Sequence, residues 1–181
     1  YDNESVKQTK KAKYIDEIKW IINNEKRNEF IANLSCKLKG NTLLLFNYVK
    51  EHGFPLHDLV KEHCPDKDIY FIHGGTDVKQ REEIRKHIDN VNRDSVCSTG
   101  INIKNINNII FASPSRSVIR VLQSIGRGLR KSNTKDKVRL FDISDDLRYM
   151  KYVNHTYRHM QERTKIYNNE RFDHTHKNLK L

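Results

Sequence analysis

Two arginines in the second half of the chain have a spacing suited to phosphate chemistry. Gln123, Gly126, Arg127 and Arg130 form a Q-x-x-G-R-x-x-R pattern. On a helix the two arginines would lie on one face, because residues three apart are neighbours there. A guanidinium group stays charged and binds phosphate oxygens through paired hydrogen bonds. The pattern indicates a phosphate-binding helix, and the alternative from these residues alone is the solvated face of a basic amphipathic helix.

A hydroxyl-rich turn precedes this segment. Ser98, Thr99, Gly100 and Asn102 lie shortly before the apolar run 109–112. Hydroxyls and backbone N–H groups suit contacts to nucleic-acid phosphates, which hold a strand without reading its bases. The turn is therefore a candidate nucleic-acid contact, and an ordinary polar loop before a strand is the alternative.

Two more polar segments follow predicted strands. The apolar run 43–46 predicts a strand buried on both faces, and Asn47 comes directly after it. The run 69–72 leads into Gly74 and Gly75, and a charged helix then begins with Thr76 or Asp77 as its cap. Both segments place polar or small residues where a strand ends.

In this chain order, the segments around Asn47, Gly74, Ser98 and Arg127 resemble motifs IV, IVa, V and VI of superfamily 2 helicases and translocases. They are most similar to those of phage recombination and repair helicases. The resemblance implies an α/β, RecA-like (P-loop NTPase type) parallel sheet flanked by helices, with a C-terminal helical extension. The sequence departs from the family pattern at Asn102, where many relatives carry an aspartate for the ribose contact.

The resemblance also implies roles for individual residues. Arg127 and Arg130 would be catalytic, stabilising charge on the γ-phosphate of ATP. ATP-binding residues would be Gln123, Gly126, Gly100 and Asn102. Nucleic-acid-binding residues would be Ser98, Thr99, Asn47, Gly74 and Gly75.

Other parts of a complete motor are absent from the sequence. It contains no G-x-x-x-x-G-K-[ST] phosphate loop and no D-E-x-H or D-E-x-D run, and phosphoryl transfer needs such groups to hold ATP and magnesium. We therefore expect ATP with Mg²⁺ to be bound mainly by an N-terminal RecA-like domain of the same protein. This chain alone would hydrolyse little ATP. The expected partner is single-stranded, forked or branched DNA, and the expected process is recombination, repair or replication-fork remodelling.

The composition agrees with a polyanionic partner. Among 181 residues, 34 Lys and Arg against 23 Asp and Glu give a net charge of +11. A non-catalytic nucleic-acid-binding module and a domain that docks an acidic protein remain alternatives. The three cysteines form no C-x-x-C pair, and no apolar run or leader pattern suggests a membrane. We expect a cytoplasmic protein (in the host cytoplasm if phage-encoded) with no bound metal, the histidines at 155, 159, 174 and 176 being solvated.

The expected organisation has three parts. Residues 1–39 would be a linker and helix, 40–145 the RecA-like domain and 146–181 the helical extension. Apart from the strands at 43–46 and 69–72, we expect helices at 14–37, 55–63, 77–90 and 117–131 and strands at 109–112 and 138–143. In the extension, Leu147, Met150, Val153, Tyr157, Met160 and Tyr167 recur at helical spacing. Core packing is the expected role of this stripe, with stacking of its tyrosines on bases as the alternative.

One segment departs from the family pattern. Only six residues separate Asn90 from Cys97, and residues 94–96 look too short and too polar for the buried strand that the family has there. Either the strand has been lost or residues are missing from the chain at this point. Missing residues are the preferred explanation, because a lost central strand would leave backbone groups of its neighbours unpaired.

Overall fold

The computed structural model describes residues 14–90, 94–98, 106–113, 122 and 138–181. The helices in this part of the chain are α1 (Tyr14–Ile22), α2 (Glu25–Lys37), α3 (Phe54–His63), α4 (Val78–Asn90) and α5 (His155–Asn169). The strands are β1 (Thr42–Leu45), β2 (Asp68–Phe71), β3 (Ser95–Ser98), β4 (Asn108–Phe111) and β5 (Arg139–Asp142).

These strands form one parallel sheet in the order β2-β3-β1-β4-β5. Alternate residues of a strand point to opposite faces. Leu44 and Ile110 therefore pack on α2 and α3 through Ile31, Leu56 and Val60. Leu43 and Ile109 pack on the other face with Leu122 and Tyr167. The predicted parallel sheet with helices around it and a doubly buried β1 is confirmed.

Most predicted elements appear within a residue or two of their expected bounds. Pro55 lies in the first turn of α3, where its missing N–H costs nothing. Asp77 caps α4, since its Oδ2 accepts the amide of Lys79 at 2.8 Å. The single helix expected at 14–37 is wrong. The first helix ends at Ile22, and Asn24 caps the start of α2, because its side chain accepts the amide of Arg27 at 2.9 Å.

The expectation that residues 94–96 could not belong to a sheet strand is also wrong. Ser95–Ser98 forms β3, between β1 and β2. Val96 and Cys97 are buried, and the Ser95 hydroxyl donates to Asn41 Oδ1 at 3.0 Å. The polar start of the strand is thus satisfied internally, and Ser98, which was expected in the following turn, ends the strand.

The C-terminal stripe is helical only in part. The helix begins at His155, and Met150 lies before it with a φ of 52° and 82% exposure. Tyr167 does pack in the core, as expected. The Arg148 guanidinium lies 4.2 Å from the centre of the Tyr157 ring and covers one of its faces. That contact weakens the alternative in which this tyrosine stacks on bases.

Two of the histidines expected to be solvated are half-buried instead. The rings of His155 and His159 pack edge-on against Tyr14, with centroids 5.9 and 5.4 Å away. His174 and His176 are exposed, as expected. Among the described residues, no group of three or more His, Cys, Asp or Glu side chains is arranged to hold a metal ion.

A buried carboxylate joins α1 to the start of α5. Glu17 accepts the backbone amides of His155 and Thr156 at 2.9 and 2.8 Å, the Thr156 hydroxyl at 2.7 Å and the Asn154 amide at 3.1 Å. Burial alone would raise the pKa of Glu17, but these hydrogen bonds outweigh it and hold the pKa below its ordinary value. Glu17 thus caps α5 from another helix, since unpaired amides at a helix N-terminus favour an anion. None of the helices described is long and apolar enough to span a membrane.

Candidate functional site

The structure brings several of the predicted nucleic-acid residues to one edge of the sheet. Asn47 follows β1, Ser98 ends β3, and Gly74 and Gly75 follow β2. Because all the strands are parallel, their carboxyl ends meet at the same edge, where α/β folds commonly bind ligands. In the sheet register Ser98 lies between Leu44 and Phe71. The predicted contacts therefore come from neighbouring strands.

Other predicted site residues lie outside the described part of the chain. They are Thr99, Gly100, Asn102, Gln123, Gly126, Arg127 and Arg130. Leu122, directly before Gln123, is buried against Leu43 and Ile109 on one face of the sheet. The phosphate-binding helix around Arg127 thus stays a prediction, as do the roles assigned to the turn after Ser98.

Asn47 is held by a buried chain of hydrogen bonds. Its backbone N–H donates to Ser113 Oγ at 3.2 Å, and Ser113 Oγ lies 3.0 Å from His52 Nδ1. On its other side, His52 Nε2 lies 3.1 Å from Asn28 Oδ1. The Asn28 amide donates to the Ile22 carbonyl at 2.8 Å, which leaves Oδ1 as the acceptor for His52.

The direction of each hydrogen bond in this chain follows from its ends. His52 donates from Nε2 to Asn28, so Nδ1 accepts the proton of the Ser113 hydroxyl. The oxygen of Ser113 is then free to accept the Asn47 amide. Burial, with a smaller effect of the nearby Arg27 charge, lowers the pKa of His52 to about 3. The imidazole is neutral at physiological pH, and the segment after β1 is fixed from α2.

The hydrogen bonds that link Asn47 to Asn28 were not predicted from the sequence. His52 lies in a π-helical turn, Val49–Gly53, which directs the imidazole inward. Ser113 follows β4, and its contact with Asn47 spans 66 residues. The available signal was a lone histidine in a polar segment, which does not by itself distinguish a buried ring from an exposed one.

The glycine turn is rigid although its glycines are exposed. The Thr76 hydroxyl accepts the His73 amide at 3.0 Å, and the Thr76 amide donates to the His73 carbonyl at 3.0 Å. Arg81 donates to the carbonyls of Thr76, His73 and Gly74, each at 2.9 Å. A Cβ added at Gly74 would meet nothing within 4 Å. The turn therefore has open space beside it for a ligand to approach the backbone.

The edge is closed where β4 and β5 end. Arg27, which is fully buried, donates from Nε to both Asp145 oxygens at 2.9 and 3.1 Å and from Nη1 to the Ala112 carbonyl at 2.7 Å. Arg163 pairs with Asp142 at 2.7 and 2.8 Å. These arginines occupy polar groups of the edge, and among the described residues the exposed groups of the edge follow β1 and β2.

Comparison with known proteins identifies the family. The family model described as the helicase conserved C-terminal domain matches residues 25–132. The chain belongs to this family. The matched range contains every predicted site residue, from Asn47 to Arg130.

Relatives of this helicase domain are considerably longer. The chain is 32% identical over 200 residues to the ATP-dependent DNA helicase UvsW of Enterobacteria phage T4, a match that covers 100% of this chain and 39% of UvsW. It is 27% identical over 151 residues to the putative ATP-dependent helicase IRC3 of Saccharomyces cerevisiae, covering 78% of this chain and 22% of IRC3. The helicase domain thus spans less than half the length of either relative.

The fold of the domain matches that of T4 UvsW. The crystal structure of UvsW superimposes with a TM-score of 0.79 at 30% identity, over 94% of this chain and 38% of UvsW. The predicted RecA-like fold and the predicted resemblance to superfamily 2 helicases are therefore confirmed. The likeness extends beyond the motifs, because it includes nearly the whole chain.

Proposed function

We propose that this chain is the C-terminal motor half of an ATP-dependent DNA helicase or translocase acting in recombination, repair or replication-fork remodelling. The observation that carries the proposal is the convergence of Asn47, Ser98 and the Gly74–Gly75 turn on one open edge of a helicase-family domain. The relatives are named as ATP-dependent helicases, and UvsW as a DNA helicase.

In this proposal the open edge holds the nucleic-acid backbone. Asn47, Ser98 and Thr99 would contact phosphates through their small polar side chains, and Gly74 and Gly75 would let the phosphates come close to the turn. The net charge of +11 favours binding of a negatively charged nucleic-acid strand, and the affinity should fall as the salt concentration rises. The fixed geometry of the Asn47 segment and of the glycine turn supports this role, because a rigid contact loses little entropy on binding.

ATP would bind mainly to the N-terminal RecA-like domain, together with Mg²⁺. Arg127 and Arg130 would reach across the cleft between the domains and stabilise negative charge on the γ-phosphate. Gln123, Gly126, Gly100 and Asn102 would line the same site. Cleft closure around ATP would then move the two domains relative to each other along the DNA strand.

The test is ATP hydrolysis on forked DNA by this chain mixed with the N-terminal motor half, and by each part alone. Hydrolysis is expected only in the mixture. Arg127→Ala should lower the rate about 10³-fold or more, as for other arginines that act on a transferred phosphate. DNA affinity should remain close to that of the wild type, because Arg127 is assigned to ATP.

Arg158→Ala is the matched control, since it removes an exposed arginine of α5 outside the proposed site. It should leave hydrolysis unchanged. An equal loss of DNA affinity and hydrolysis in Arg127→Ala would overturn the assignment of this arginine to ATP. Salt-sensitive DNA binding that ATP never alters, with no hydrolysis in the mixture, would favour the non-catalytic binding module instead.

A further inference from the structure

Three phenylalanine rings form a continuous stack at the open edge of the sheet. The Phe71 ring, at the end of β2, lies between Phe46 and Phe54. Its centroid is 5.6 Å from that of Phe46, with planes 14° apart, and 4.8 Å from that of Phe54, with planes 23° apart. The stack runs from the core cluster, which Phe46 contacts, to the surface at Phe54.

The inner end of the stack is fixed by its neighbours. The edge of the Phe46 ring packs against the buried His52 ring at 6.5 Å. Gly53 lets the backbone pass beside this ring, because a Cβ at Gly53 would overlap Phe46. Phe54 directly follows the π-helical turn that directs His52 inward. The contact of His52 with Phe46 and the position of Phe54 therefore depend on the same turn.

The outer end is exposed. Phe54 has 44% of its surface accessible, although its ring also stacks on that of Phe71. Its ring lies 6.2 Å from that of His73, the residue directly before the Gly74–Gly75 turn. The exposed ring and the open glycine turn are therefore adjacent features of one surface.

We propose that Phe54 is a stacking platform for one nucleobase of a single strand whose backbone passes the glycine turn. The inference rests on the proposed nucleic-acid contact of this edge and adds a base contact to it. Aromatic rings bind flat bases of any sequence through their faces. The ligand is a single strand of alternating phosphates and planar bases, and Phe54 contacts only a base.

Size and charge favour a nucleic acid over a protein as the occupant. A stable protein interface buries about 800 Å² on each partner, far more than one partly exposed phenylalanine offers. Lys50 lies one helical turn before Phe54, and Lys79 lies in the first turn of α4 after the glycine turn, both exposed. In a chain of charge +11, these two cations, close to the ring and to the glycine turn in sequence, suit a phosphate backbone.

The test measures binding of the chain to fluorescent oligothymidylate and to an abasic strand of equal length. Phe54→Ala should weaken binding to oligothymidylate about tenfold or more, and Phe54→Trp should retain it. Phe54→Leu keeps an apolar side chain but loses the ring, and it should bind nearly as weakly as Phe54→Ala. The slope of affinity against salt should not change, because Phe54 contacts no phosphate.

Two further comparisons make the result specific. The wild type should bind the abasic strand more weakly than oligothymidylate, and Phe54→Ala should show much less of that difference, since both changes remove the same stack. Val78→Ala is the matched control, because it shortens another exposed apolar side chain, 77% accessible, just beyond the turn. It should bind like the wild type. Circular dichroism of each variant checks that the domain remains folded.

Several outcomes would overturn the platform. Phe54→Ala binding as tightly as wild type would do so, as would Phe54→Leu binding like wild type, because apolar contact without a ring would then suffice. An equal loss on the abasic strand would show that no base is involved. These results would leave the proposed ATP site standing, because the Arg127→Ala hydrolysis assay does not depend on Phe54. A wild-type chain that binds no oligonucleotide would overturn both the platform and the proposed backbone contacts.

Discussion

The two halves of the carboxyl edge of the sheet differ in how their polar groups are used. Where β4 and β5 end, Arg27 is fully buried and Asp145 is 2% exposed, and their charges are paired. Where β1 and β2 end, Asn47 and the Gly74–Gly75 turn are exposed, and Phe54 faces solvent. Within the described part of the chain, one half of the edge is closed by ion pairs and the other half is exposed.

One edge of the sheet thus holds both paired, buried charges that stabilise the fold and exposed groups that are accessible to a ligand. Buried ion pairs depend on both partners, because a single unpaired charge in the interior is costly. Exposed glycines and backbone groups contribute little to folding, yet they are accessible to a ligand. Substitutions in the closed half should therefore unfold the domain, and those in the open half should affect binding first.

The largest effect is expected from breaking the closed half at Arg27. Arg27→Ala removes the buried guanidinium that pairs with the Asp145 carboxylate, and the Ala112 carbonyl loses a donor. We expect a loss of about 3–5 kcal/mol in the free energy of unfolding. Urea denaturation followed by circular dichroism measures it.

Arg148→Ala is the control for this prediction, because Arg148 and Asp146 pair at 2.7 Å with about half of each side chain exposed. Its loss should cost less than about 1 kcal/mol. Equal effects of the two substitutions would show that the closed half is not held by burial of its ion pair.

A smaller effect is expected at His52, where the open half is joined to the interior. His52→Gln breaks the contacts with Ser113 and Asn28 and should cost about 1–3 kcal/mol at neutral pH. It should also change the dependence of stability on pH. In the folded state the pKa of His52 is about 3, whereas in the unfolded chain the histidine takes up a proton near its ordinary pKa.

Wild-type stability should therefore fall as the pH drops from the ordinary histidine range towards 3, at up to about 1.4 kcal/mol per pH unit from His52. The slope should be shallower in His52→Gln. Urea unfolding at several pH values measures this slope, with His87→Gln, whose ring is half exposed, as the control for losing one histidine. Parallel curves for wild type and His52→Gln would show that His52 is not held neutral in the folded domain.

The smallest effect on stability is expected in the open half, at Gly74. Gly74→Ala adds a methyl group into open space, so the free energy of unfolding should change by less than about 0.5 kcal/mol. Affinity for oligothymidylate should nevertheless fall, because the added methyl lies where the strand would approach the backbone. Thermal unfolding and fluorescence anisotropy together separate the two effects.

Gly53→Ala is the matched glycine control. Its Cβ would overlap Phe46, so it should cost about 1–3 kcal/mol. Unchanged oligothymidylate affinity in Gly74→Ala would exclude the glycine turn as a close backbone contact.

The sequence was informative where local chemistry decides structure. The apolar run before Asn47 predicted β1, and Asp77 predicted the start of α4, because both signals act within a few residues. It failed at Ser95, whose hydroxyl is satisfied by Asn41, 54 residues away in the chain. Polarity at that position says nothing about burial unless the partner is known.

In the candidate site, too, the sequence predicted some residues and missed others. Asn47 and the glycine turn were located by their positions after strands, since parallel strands end at one edge. The pairing of Arg27 with Asp145 spans 118 residues, and no spacing rule connects them. The inward turn of His52 depends on a π-helical turn that local pattern does not indicate. Groups that meet only through the tertiary fold were therefore missed.

The hydrogen bonds of the Glu17 carboxylate link the C-terminal helix to the rest of the domain during unfolding. Asn154 bonds both Glu17 and the Asp145 carbonyl, while the Asp145 side chain holds Arg27 of α2. If α5 frayed from its first turn, the buried Glu17 carboxylate on α1 would lose its hydrogen-bond donors. We therefore expect local opening of the C-terminal helix to be coupled to the interior of the sheet, so that the His155 and Thr156 amides exchange hydrogen together with those of the strands.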